Sequence, residues 1–152
     1  MTHLLAPERP SQSVIELDTT FLPVGQMRQI TQVSEVVGSH IAGEVELGAD
    51  HWVWPQHFPA DPIFPGTLTI EAAGQLVALW AWAQGVRGRP RLVRTSAEFQ
   101  NPVNRSSRRL ILKGEVRRKR QVYFGTVNVS ADDTRVAVIQ AVLVVLPDCP
   151  AG

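Results

Sequence analysis

Polar and apolar positions alternate along residues 27–37 (MRQITQVSEVV) and again along 40–47 (HIAGEVEL), with Gly38 and Ser39 between them. Alternation of this kind, rich in β-branched residues, predicts a hairpin or two bent strand pieces. The pattern then breaks. Pro55, Pro59, Pro62 and Pro65 fall within the eleven residues 55–65. Proline has no backbone donor and a fixed φ, so this stretch is neither helix interior nor central strand; it is a stiff, shaped loop. After Pro65 and Gly66 the run TLTIEAAGQLVALWAWAQG predicts a helix over about 67–84, ending before Gly85. Its residues are apolar nearly all round, the mark of a buried helix. Ala72, Ala73 and Gly74 are small enough for close packing. From Arg91 onward the pattern is β: a strand over 92–99, alternation in 110–116 and 122–129, a turn at 130–133, and a last long strand over 135–146 partly buried on both faces. Two strand pieces, one buried helix and four strands of meander predict an α+β fold, a single antiparallel sheet wrapped round one central helix. Residues 1–13, with Pro7 and Pro10, are expected to be a flexible segment, 14–147 one domain, and 148–152 a tail.

Composition fits that picture. The chain has 152 residues, 44% apolar and 19% charged, the profile of one globular domain with a real core. A single cysteine, Cys149, excludes an internal disulfide framework and a multi-cysteine zinc site. The opening MTHLLAPERP lacks a basic stretch followed by an apolar one, and no run approaches the ~20 apolar residues of a membrane span. A cytoplasmic protein with no membrane partner is therefore expected. Charge adds something the average hides. The net charge is +1, yet residues 85–120 carry twelve basic side chains against Glu98 and Glu115, a local +10, densest at Arg117, Arg118, Lys119 and Arg120. Two readings stand: a solvated edge strand guarded by charge, or a landing patch for an acidic partner.

Two residues carry candidate chemistry. His57 sits inside the proline loop, in Gln56-His57-Phe58-Pro59, and Glu71 is the only acid between Asp61 and Glu98, one to two turns into an apolar helix. An ionised carboxylate there needs a partner or a task. Gln75, at i+4 on the same face, could be that partner. Taken singly, each residue has a structural reading. Taken together they suggest a proton-transfer pair. Pro65 and Gly66 place bare N–H groups at the helix start, suited to a carbonyl oxygen that becomes enolate-like. Base, acid and oxyanion site are the parts of an elimination beside a thioester.

The segment HFPADPIFPGTLTIE, residues 57–71, resembles the signature of the 3-hydroxyacyl-(acyl carrier protein) dehydratases of fatty acid synthesis. The spacing of fourteen residues from His57 to Glu71, the Pro65-Gly66 pair and Gln75 all match that family. The similarity extends more weakly over 21–146, with Phe21-Leu22-Pro23-Val24 at the opening segment and Phe99-Gln100-Asn101-Pro102-Val103 at the exit of the third strand. The resemblance implies a hot-dog fold and a homodimer with sites shared between subunits, a higher oligomer or heterodimer also being compatible. It implies His57 as the base at Cα and Glu71, reaching in from the other subunit, as the acid for the departing hydroxyl. It further implies the Gly66 N–H at the thioester oxygen, with Pro65, Phe58 and Gln75 around the substrate. No metal or redox cofactor is implied, since the phosphopantetheine arm belongs to the substrate. The implied partner is an acyl carrier protein, and the basic residues offered to it are Arg87, Arg89, Arg91, Arg94, Arg105, Arg108 and Arg109. The chain also departs from the pattern. Glu71 matches the dehydratase type, whereas Trp52-Val53-Trp54 and Asp61-Pro62 look more like the dehydratase/isomerase type. Gln56 and the turn Asn104-Arg105-Ser106-Ser107 match neither, so the resemblance leaves fatty acid and polyketide-type biosynthesis both open.

Other readings compete. A metal site from His51, His57 and Asp61 fits no standard zinc spacing. A hot-dog thioesterase would use the helix acid with water and leave His57 without a task. A non-catalytic partner subunit of a heterodimeric dehydratase would not need both His57 and Glu71. Nucleic-acid binding through 85–120 lacks aromatic interleaving or a motif, so no nucleic-acid partner is expected.

Overall fold

The computed structural model describes residues 15–147; the expected N-terminal segment 1–13 and the tail 148–152 lie outside these residues. Strands β1 (Gln32–Val37) and β2 (His40–Glu46) come first, then helix α1 (Gly66–Ala83), then β3 (Gly88–Phe99), β4 (Arg109–Lys119), β5 (Val122–Ala131) and β6 (Thr134–Pro147). All six strands join one antiparallel sheet in the order β1-β2-β4-β5-β6-β3. Alternation sets the faces. Leu110, Leu112 and Val116 of β4, Tyr123, Val127 and Val129 of β5, and Ile139, Ala141 and Leu143 of β6 are all buried beneath α1. The helix contacts every strand from β2 to β6, so the sheet wraps it, and this is the expected hot-dog architecture.

Two glycines let the helix settle deeply. A Cβ added to Gly43 would lie 2.9 Å from Leu76 Cδ1, and one on Gly125 would collide with Val77 Cγ2. The close approach thus comes from glycines of the sheet. Gly74, expected from the sequence to serve packing, has nothing within 4 Å of such a Cβ and faces a cavity instead. At the other end of α1, Trp80 meets the Tyr123 ring edge-on and donates Nε1–H to Gly38 O at 2.9 Å.

Three expectations need correction. The last four strands are not a simple meander: β3 does not adjoin β4 but lies at the far edge beside β6, and residues 100–108 make the crossing. Local alternation marks a strand without naming its neighbour. The first strand is shorter than expected, because a 3-10 turn covers Gly25–Met27 and the backbone of 27–30 is held by the Gln75 side chain rather than by a ladder. The basic run 117–120 is also not on an edge strand. β4 is the third strand of six, although β2 stops opposite Glu115, so 117–119 pair with β5 alone. The edge is β3, twelve residues long, with Leu92, Val93 and Phe99 each 44–57% exposed. The opposite edge, β1, has six residues and a bulge between Val33 and Glu35.

Candidate active site

The proline loop folds back on itself. His57 N–H donates to Val53 O at 2.9 Å, Ile63 N–H to His57 O at 2.9 Å, and Phe58 and Asp61 exchange two backbone bonds of 3.0 Å. The His57–Phe58 peptide is cis. Phe64 N–H then donates to Val103 O at 2.7 Å, and Ile63 bridges Asn104, which ties the loop to the crossing segment. Within this frame His57 is half-buried, and its Nδ1 lies 3.1 Å from Ile63 O. A carbonyl oxygen can only accept, so Nδ1 carries a proton, and in the neutral ring the lone pair is then on Nε2. The Phe58 ring, half exposed, stacks on the imidazole with centroids 4.1 Å apart.

Pro65 is buried and caps α1 without a side-chain bond, which leaves the first N–H groups of the helix free of a helical partner. Gly66 opens the helix, and the Phe99 ring from the end of β3 lies against it: an added Cβ would sit 2.8 Å from Phe99 Cζ. Phe99 belongs beside the site although nothing in its sequence neighbourhood announces this. The contact joins residues 33 apart and arises only because β3 crosses to the far edge.

Glu71 is half-buried on the same helix, with Oε1 accepting from Gln75 Nε2 at 3.1 Å. The i+4 partner expected from the sequence is therefore present. Gln75 does more: its Oε1 accepts from the N–H of Gln29 (2.8 Å) and of Ile30 (3.1 Å), while Nε2 also donates to Met27 O at 2.8 Å. Glu71 and Gln75 open onto a cavity of about 380 Å³ walled by Phe21, Leu22, Gly74 and Leu92 among others. His57 is not part of that wall.

The seven arginines divide. Register places Arg91 in a row with Val144, Val122 and Lys119, at one end of the sheet, whereas Arg109 faces Glu46 at the other. From Arg109 to Lys119 on β4 the ends are separated by roughly 33 Å of strand at about 3.3 Å per residue. Arg89 and Arg91 stand on the wall of the Glu71 cavity; Arg87 pairs with Asp18 at 3.5 Å, and Arg94 is exposed on β3. Arg105, Arg108 and Arg109 line a separate cleft of about 600 Å³ together with Glu44, Glu46 and Ser106. Arg105 Nε there donates to Ala49 O at 3.0 Å, and Arg109 pairs with Glu44 at 3.5 Å.

The model of the FabA-like domain matches residues 22–140. Among solved structures, the dehydratase heterocomplex ApeI:P from Xenorhabdus doucetiae superposes with a TM-score of 0.73 at 16% identity, covering 88% of this chain and 93% of that one. An uncharacterized protein, PH1136 from Pyrococcus horikoshii, gives 0.66 at 15% identity over 89% and 95%. A mutant of the thioesterase SAV0944 from Staphylococcus aureus gives 0.62 at 12% over 76% and 92%. At these identities the three likenesses speak for the fold.

Proposed function

Because the chain belongs to the FabA-like domain family, we propose that it dehydrates 3-hydroxyacyl thioesters. The observation that carries this reading is a histidine whose Nδ1–H is fixed on Ile63 O, fourteen residues before a helix carboxylate that faces a cavity. In the proposed reaction His57 Nε2 removes the Cα proton, and the electrons form the Cα–Cβ double bond as the Cβ–O bond breaks. Glu71 gives its proton to the leaving hydroxyl, which departs as water, and the product is the trans-2-enoyl thioester. The uncapped start of α1 at Gly66 supports the negative charge that gathers on the thioester oxygen. His57 and Glu71 return to their starting states by exchanging a proton with solvent.

His57 lies outside the wall of the Glu71 cavity, so we propose that two chains complete each site, with His57 from one and Glu71 from its partner. Among the described residues the outer edge of the twelve-residue β3 has no neighbouring strand, which supports pairing with a second copy. The substrate is proposed to arrive on an acidic acyl carrier protein, and Arg89 and Arg91 on the wall of the Glu71 cavity support approach from that end.

The test uses 3-hydroxyacyl and 2-enoyl carrier thioesters, with loss or gain of one water followed by mass. His57→Ala and Glu71→Gln should each lower dehydration by about 10²–10⁴-fold while the fold is kept. Mixing the two inactive variants should restore part of the activity once subunits exchange. Normal turnover by either variant would sink the assignment, and no recovery after verified exchange would sink the shared site.

A further inference from the structure

Gly74 is an interior glycine of α1 that the packing of the fold does not explain. Glycine is the poorest helix former after proline, so an interior helical glycine usually marks a close approach. None exists here. A Cβ built on Gly74 meets nothing within 4 Å, and Leu76 and Val77 of α1 find their close contacts at Gly43 and Gly125 of the sheet. Carbon atoms touch at about 3.5–4.0 Å, so a methyl group at Gly74 would reach no neighbouring element. The space beside it is therefore larger than one methyl. Gly74 is three residues past Glu71 on the same helix face, where Cβ positions are about 5–6 Å apart. Ala78 continues the line by one more turn, and all three residues border the same cavity. From Glu71 to Ala78 that line runs about 10 Å along the helix, and nothing larger than a methyl follows the acid on it.

The walls say what kind of group fits. Phe21, Leu22, Ile70 and Leu143 share the cavity with Gly74. Gln75 offers a ligand little, since its Oε1 already accepts twice and its Nε2 donates twice. On the helix side, the surface beyond Glu71 is thus apolar. A volume of about 380 Å³ is near the low end for ligand pockets, which suits a compact group better than a long chain. A slender straight chain would leave the space at Gly74 empty, whereas a ring would occupy it. The Phe21 ring, 6.1 Å from that of Trp82, gives such a ring an aromatic neighbour. We propose that Gly74 is a specificity-determining residue, and that the acyl group of the substrate carries a ring a few carbons beyond the reacting pair. The inference rests on the dehydration proposed above, with Glu71 as the acid, and names the acyl class that it serves. Gly74 contacts the acyl group and takes no part in the proton transfers.

The probes are two 3-hydroxyacyl thioesters of pantetheine. One bears a phenyl ring on the second carbon past Cβ, and the other is the straight-chain analogue without the ring. The wild type should prefer the phenyl substrate. Gly74→Leu should lower kcat/KM for the phenyl substrate at least about tenfold and for the straight one less than about threefold, with Gly74→Ala between them. The loss should fall mainly on KM, because His57 and Glu71 are untouched. Both variants should melt no lower than the wild type, since alanine and leucine favour a helix and no neighbour obstructs the added Cβ. Calorimetry with the saturated, unreactive thioesters reads the same selectivity without turnover: Gly74→Leu should lose the phenyl ligand and keep the straight one. If the wild type dehydrates neither substrate but binds with this selectivity, the proposed reaction falls and the ring pocket is supported. Equal loss of both ligands in Gly74→Leu, or a phenyl ligand bound as tightly as by the wild type, would overturn the inference. So would a wild type that neither binds nor turns over the phenyl compound. A lower melting temperature or lost self-association in Gly74→Leu would overturn it in favour of a second copy packed on the glycine.

Discussion

Gln75 uses both ends of its amide: Oε1 takes two backbone N–H groups, and Nε2 serves one carbonyl and the Glu71 carboxylate. Gln75→Leu would leave the amides of Gln29 and Ile30 without their acceptor, at about 1–3 kcal/mol each. Denaturant unfolding should therefore show a loss of roughly 2–5 kcal/mol, and turnover should fall as well because Glu71 loses its tether. The Glu71–Gln75 bond was legible, since helical period alone puts i and i+4 side by side. The clamp on 27–30 was not, because it joins residues 45–48 apart and has no local signature. His51 shows a second kind of illegibility. Its ring lies among Trp52, Trp54 and Phe64, and its Nδ1 accepts from Val53 N–H at 3.1 Å. Burial holds its pKa below the usual 6.5. The unfolded chain thus binds a proton that the folded one resists, so stability is full above pH 6.5 and declines as pH falls below it. Melting temperatures of the wild type should drop from pH 7 toward 5, and His51→Phe should flatten that slope.

At the scale of elements, every strand after the helix was visible, β4 and β5 by their alternation, and α1 was placed to within one residue at each end. The proline loop was equally legible, because proline dictates backbone geometry wherever it stands. Strand order was not: β3 reads as a strand from its own residues, but its place beside β6 depends on a crossing that no periodicity encodes. That crossing brings Phe99 onto Gly66, so part of the candidate site was hidden along with it. The seating of α1 was hidden too. Gly125 reads as an ordinary interruption of an alternating strand, yet an added methyl there meets Val77. Gly125→Ala should cost about 1–3 kcal/mol by overpacking. The loss should appear in thermal unfolding, with the Michaelis constant unchanged, since Gly125 lies outside the Glu71 cavity.

For the whole molecule, the basic excess of 85–120 was legible as a sum, but its division was not. The sheet carries Arg105, Arg108 and Arg109 to one end and Arg91, Lys119 and Arg120 to the other, because strand reversal scatters residues adjacent in sequence. The unequal edges of the sheet carry a further consequence, in the language of polymer growth. A subunit with two equally receptive edges is a bifunctional monomer and adds copies without limit. This one has a single reactive end. β3 offers twelve residues, whereas β1 offers six, interrupted by a bulge and bearing exposed Glu35. When two β3 strands pair antiparallel about a two-fold axis, both reactive ends are consumed and two inert ones remain. Association should be a step that terminates at two along the sheet direction. Light scattering across rising protein concentration should level off at a multiple of the two-chain mass, and Val93→Asp, which puts charge on the reactive end, should return the scattering to that of one chain.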